Sequence, residues 1–77
     1  MNTPPNLELT PRQKQVLQLL VDGNTFDQIA VHLGICKSTI VKHTIAMRRK
    51  YGVATRYEMI AHAVALGDAH VFMGKQS

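Results

Sequence analysis

Six basic side chains stand between residues 37 and 56 (Lys37, Lys42, Arg48, Arg49, Lys50 and Arg56), and no acidic one interrupts them. Acids outnumber bases by one before Lys37 and again after Arg56, so the formal charge of +4 is concentrated in a single block. Ammonium and guanidinium groups gathered in this way attract a polyanion, and nucleic acid is the commonest one. The alternative is a solvated basic face with no partner.

Other chemistry finds little support. Four histidines and one cysteine invite a metal site, but His32 and Cys36 straddle a helix end and Gly34, and no paired ligand motif such as HExxH occurs. No nucleophile–base pair or phosphate-cradling loop stands out, so neither catalysis nor a metal or other cofactor is expected. Cys36 has no second cysteine to pair with, which fits a reducing compartment. The start "MNTPPNLELT" lacks the features of a secretory signal, and no apolar run reaches the roughly 18 residues of a membrane span. The expectation is one soluble, cytoplasmic domain. A chain of 77 residues buries only about 60% of the surface its unfolded form exposes, so a partner subunit would add stability.

The elements that position the basic block can be read from punctuation. Residues 1–8, with Pro4 and Pro5, read as a flexible lead. In "TPRQ", Thr10 is a helix N-cap, Pro11 takes the first helical position, and Gln13 sits where a capping box needs a reciprocal acceptor. Val16, Leu17, Leu20 and Val21 follow at helical spacing, and Gly23 suits the position just past the end. This predicts a helix over 11–22. "TFDQ" repeats the pattern with Thr25 and Gln28, predicting a helix over 26–33 stopped by Gly34. A last helix starts after Thr55, with Glu58 at the capping-box position, and closes at Gly67. Its apolar residues include Met59, Ile60, Ala63, Val64 and Leu66, a surface wider than one small core needs, so part of it suits a second subunit.

Between these lies "STIVKHTI", residues 38–45, followed by "AMRRKYG". Its β-branched residues favour a strand by propensity. Alternation, however, makes neither face cleanly apolar. At about 100° per residue, Ile40, Thr44, Met47 and Tyr51 form one inward stripe, with Ser38, Lys42 and Arg49 opposite. The pattern therefore predicts a helix over 37–51, closed by Gly52. Val41 and Ile45 lie about 100–140° from Ile40, on the flank. They are either core-edge residues or side chains facing a groove lined by bases. Two helices joined by a short glycine-containing turn make the outline of a helix-turn-helix in an all-α, four-helix domain.

Residues 9–67 resemble the LuxR-type helix-turn-helix DNA-binding domain in its free-standing, GerE-like form. The matching segments are "LTPRQKQVLQLLVDG", "IAVHLGI", "STI.KH", "KYGV.TR" and "AHAVALG", in order and at the family's spacing. The resemblance implies a third helix in the major groove and a homodimer formed through the fourth, bound to a pseudo-palindromic site. It leaves residues 68–77 as a C-terminal tail. The family usually has glutamates at Gln13 and Gln15, Ser or Thr at Cys36, and a DNA-contacting lysine at Val41. A thiol is a poor cap acceptor, so the start of the third helix is expected to fray or be capped differently.

On this reading Ser38, Val41, Lys42 and Ile45 are the base-contact candidates, with Lys42 the hydrogen-bond donor to guanine. Lys37, Thr39, Arg48, Arg49 and Lys50 are the phosphate-contact candidates. Met59, Ala63 and Leu66 are the expected dimer contacts, and His43 a structural residue. The expected function is a sequence-specific transcriptional regulator without a sensor domain, acting on double-stranded DNA in the bacterial cytoplasm and on the nucleoid when bound. The rival is a helix-turn-helix protein that docks another regulator or RNA polymerase through the third helix, with its apolar flank at Val41 and Ile45, or through the fourth. Region 4 of sigma factors shares the motif, but the "KYGVATR" link and the apolar fourth helix argue against it.

Overall fold

The computed structural model describes residues 8–71. Four helices follow in order: α1 (Pro11–Val21), α2 (Phe26–Leu33), α3 (Lys37–Tyr51) and α4 (Arg56–Leu66). No strand occurs among the described residues. The strand-like "STIVKHTI" is thus helical, because burying Ile40, Thr44 and Met47 on one side outweighs the weak helix propensity of β-branched residues. Asp22, expected as the last residue of α1, is its C-cap.

The threonine caps form as the sequence predicts. Thr10, Thr25 and Thr55 each accept from the backbone N–H of the third helical residue, and Gln13, Gln28 and Glu58 reach back to the capping backbone. Gly34 ends α2 with φ +70°, a left-handed turn that side chains with a Cβ resist. That turn sets the angle between α2 and α3.

α3 is the central element and packs against α1, α2 and α4. The core comprises Val16, Leu17 and Leu20 of α1, Ile29 of α2, Ile40 and Met47 of α3, and Met59 and Ala63 of α4, joined by Ala69. Met59 and Ala63, expected at a dimer interface, are both 0% exposed within the folded chain. Their i,i+4 edge closes the core over α3. Leu66, at 64% exposure, remains available.

The packed unit continues past Gly67. Ala69 is buried, and His70 is clasped to α1 by its backbone. Its N–H donates to Gln18 Oε1 (3.0 Å), while Gln18 Nε2 donates to its carbonyl (2.8 Å). The Tyr51 hydroxyl donates to Asp68 Oδ2 at 2.7 Å, tying the end of α3 to the same segment. Burial, followed by that bond to the carboxylate, raises the phenol pKa well above its ordinary value. Residues 68–70, which the sequence assigns to the tail, are thus held against α1 and α3. Residues 1–7 of the expected lead and 72–77 of the expected tail lie outside the described residues.

Candidate nucleic-acid interface

α3 begins differently from the other helices. Cys36 is its N-cap but makes no side-chain cap hydrogen bond. The first turn is instead closed by the Cys36 carbonyl, which accepts from Thr39 N–H (3.0 Å) and Ile40 N–H (3.3 Å). The helix is not shortened: it starts at Lys37 as the sequence predicts. Replacing Cys36 by serine supplies the missing acceptor, so thermal or denaturant unfolding should show a gain of about 0.5–2 kcal/mol. An unchanged midpoint would mean that the turn is already fully satisfied.

The inward stripe of α3 is settled by burial: Ile40, Thr44 and Met47 are buried and Tyr51 is half-buried. Thr44 is tolerated there because its hydroxyl donates to the Val41 carbonyl at 2.7 Å. The opposite side and its flank expose Ser38, Val41, Lys42, Ile45 and Arg49, while Lys37 is exposed at the first turn on the α2 side. Val41 is 36% and Ile45 38% exposed, so the two flank residues form part of the outer surface. Thr39 sits half-buried at the edge of the first turn.

The basic residues divide by what already holds them. Lys50 Nζ donates to the Glu8 carbonyl (2.7 Å) and to Gln13 Oε1 (2.8 Å). Because Gln13 Oε1 also accepts from Thr10 N–H (3.0 Å), one amide oxygen joins the cap of α1 to the end of α3. Arg48 Nη1 donates to the Ala54 carbonyl at 2.7 Å and braces the turn into α4. Lys50 and Arg48, expected as phosphate contacts, thus each hold internal hydrogen bonds from the half-buried flanks of α3. Lys37 forms an exposed ion pair with Asp27 at 3.4 Å, the kind of contact worth only about 0–1 kcal/mol and readily exchanged for another anion. Lys42 and Arg49 make no hydrogen bond or ion pair within the described residues.

Two basic residues left without a role by the sequence join this picture. The Arg56 guanidinium lies over the Phe26 ring (5.0 Å to its centroid) and the Tyr57 ring (5.3 Å), pinning the start of α4 to the start of α2. Arg12, from the acid-leaning first part of the chain, lies close enough to His43 to act on its charge. Only the packing of α1 on α3 reveals that proximity; no local sequence signal carries it. Among the described residues no cluster of His, Cys, Asp and Glu suits a metal ion.

His43 is half-buried, and desolvation, with a smaller contribution from the Arg12 charge, lowers its pKa. The unfolded chain therefore binds a proton more readily than the native one. This contribution favours the fold above the ordinary histidine value near 6.5 and is lost as pH falls below it. Urea unfolding measured from pH 7.5 to 5 should show stability falling with pH, and His43→Gln should flatten that slope. An identical slope in the variant would assign the effect to other groups.

A helix-turn-helix whose second helix turns an acid-free, partly basic face to solvent is the architecture of a DNA-binding domain. Comparison with known proteins places this one more narrowly. The profile of the bacterial regulatory proteins of the luxR family matches residues 7–63, and the chain belongs to that family. It is 36% identical over 62 residues to the transcriptional activator protein PhzR of Pseudomonas fluorescens, covering 80% of this chain but 25% of that protein. The structure of the transcription factor GerE superposes with a TM-score of 0.76 at 31% identity, covering 79% of this chain and 91% of GerE. The Vibrio cholera VqmA–ligand–DNA complex superposes with a TM-score of 0.78 at 30% identity, over 94% of this chain and 32% of VqmA. The chain thus spans about a quarter of PhzR and a third of VqmA.

Proposed function

We propose that this chain is a sequence-reading transcriptional regulator that places α3 in the major groove of double-stranded DNA. The outer face of α3 carries the reading. It presents Ser38, Val41, Lys42 and Ile45 toward base edges, while Ile40, Thr44 and Met47 hold the opposite face in the core. Lys37, Thr39 and Arg49 serve the phosphates, together with the first-turn N–H groups of α3 that Cys36 leaves without a side-chain acceptor. Arg48 and Lys50 position the helix instead of touching DNA. The VqmA complex, which contains DNA, supports the reading through its shared fold.

Dimerisation belongs to the same proposal, with its surface revised. The outer side of α4, from Tyr57 through Ala61 and Ala65 to Leu66, is exposed and carries small and apolar residues. Two copies joined there would present two recognition helices to a two-fold site. Selection of bound duplexes from a random pool tests the whole reading: it should enrich a pseudo-palindromic sequence, and a pool that stays random would overturn it.

A second reading rests on Val31 of α2, which is 83% exposed beside the outer flank of the helix-turn-helix. An apolar side chain so placed suits a protein partner such as RNA polymerase or another regulator. Val31→Asp separates the two: it should leave DNA binding intact and reduce transcriptional output.

A further inference from the structure

Val41 and Ile45 are two exposed β-branched residues on a face otherwise made of Ser38, Lys42 and Arg49. Left in water, they are a poor choice for a cationic surface; facing a polyanion, they have a definite complement. Building on the major-groove reading above, we infer that Val41 and Ile45 read the C5-methyl groups of two thymines in each half-site.

The chemistry of the groove selects that base. Guanine shows two acceptors there, adenine an acceptor and a donor, and cytosine a donor, so an apolar side chain laid against any of them leaves polar atoms without partners. Thymine alone offers a methyl group beside its single acceptor. The geometry agrees. An i,i+4 pair is spaced about 6 Å along a helix, and base pairs are stacked about 3.4 Å apart, so the two thymines lie within two steps of each other. Branching at Cβ restricts both side chains to essentially one rotamer in a helix, so the apolar ridge is formed before DNA arrives.

The setting also favours DNA over an apolar protein surface. No acidic residue occurs from 37 to 56, and the exposed cations Lys42 and Arg49 share the ridge's own face. Asp27, at the start of α2, is paired with Lys37. A partner covering this face must be anionic around an apolar centre, which describes phosphates flanking thymine methyls.

Deoxyuridine in place of thymine removes only the methyl group and keeps the base pair. On the duplex selected from the random pool, each uracil opposite Val41 or Ile45 should weaken binding about four-fold, the change equivalent to ~0.8 kcal/mol for one buried carbon at 1.4 kcal/mol per tenfold. The Val41→Ala/Ile45→Ala double variant should bind the thymine and uracil duplexes equally. Both positions are exposed, and circular dichroism will confirm that the variant keeps its helices. Uracil without effect at every thymine, on a duplex still bound specifically, overturns the methyl reading and leaves the regulator reading standing. A uracil penalty that persists in the double variant also overturns it, since the methyls would then act through DNA shape. If no duplex is selected, this inference fails together with the proposed function.

Discussion

Replacing Met59 by lysine should abolish cooperative unfolding, because an unpaired ammonium in the core costs several kcal/mol. Domains of this size have little stability in reserve. The same change at Leu66 should leave the fold intact and convert a dimer into a monomer in light scattering at micromolar concentration. The contrast follows from burial, since Met59 is fully enclosed between α3 and α4 while Leu66 faces outward. A folded, monomeric Met59→Lys variant would show that Met59 meets a subunit and not the core.

Lys42→Ala should cost about 1–3 kcal/mol of DNA binding, roughly 5- to 150-fold, and relax the preference at one base position. Lys42 is exposed, makes no ion pair within the described residues, and lies opposite the buried stripe of its own helix. Arg49→Ala should weaken binding to all sequences alike, as loss of a phosphate contact does. Affinity measured on the selected site and on single-base variants separates the two effects. If Lys42→Ala changes nothing while Arg49→Ala alters base preference, α3 lies in the groove in a different register.

The helix ends were legible because each is written in short-range chemistry. Thr10 with Gln13, Thr25 with Gln28, and Thr55 with Glu58 lie three residues apart, and the glycines follow within a residue or two of each end. The inward stripe of α3 was equally legible, since Ile40, Thr44 and Met47 fall on one side of any helix. What the sequence leaves open depends on which element comes to lie alongside. Lys50 reaches Gln13 from 37 residues away, a pairing no local pattern encodes, and so reads as a free cation in the sequence. Met59 and Ala63 are apolar at helical spacing, which suits a core and a subunit contact equally well. Ala69 follows the helix-ending glycine and carries no periodic signal, although the core closes over it.

That division bears on the site. The sequence marks a basic helix, but the structure distinguishes the cations that brace it from those that face outward. Gln13 illustrates the point: as an amide it accepts from Lys50 and from the Thr10 backbone without neutralising the ammonium. α3 is thereby fixed at its far end by neutral acceptors, and the charge of the block is preserved.

If the outer face of α3 meets the phosphate-lined groove of duplex DNA, binding must depend steeply on salt. Binding of the selected duplex, measured by fluorescence anisotropy from 50 to 300 mM salt, should weaken linearly on a log–log plot by roughly 0.9 per phosphate neutralised. Arg49→Ala should reduce the slope by about 1, whereas Val31→Asp should leave it unchanged. A flat response to salt, or a slope that Arg49→Ala does not alter, would show that this face of α3 does not meet the phosphates.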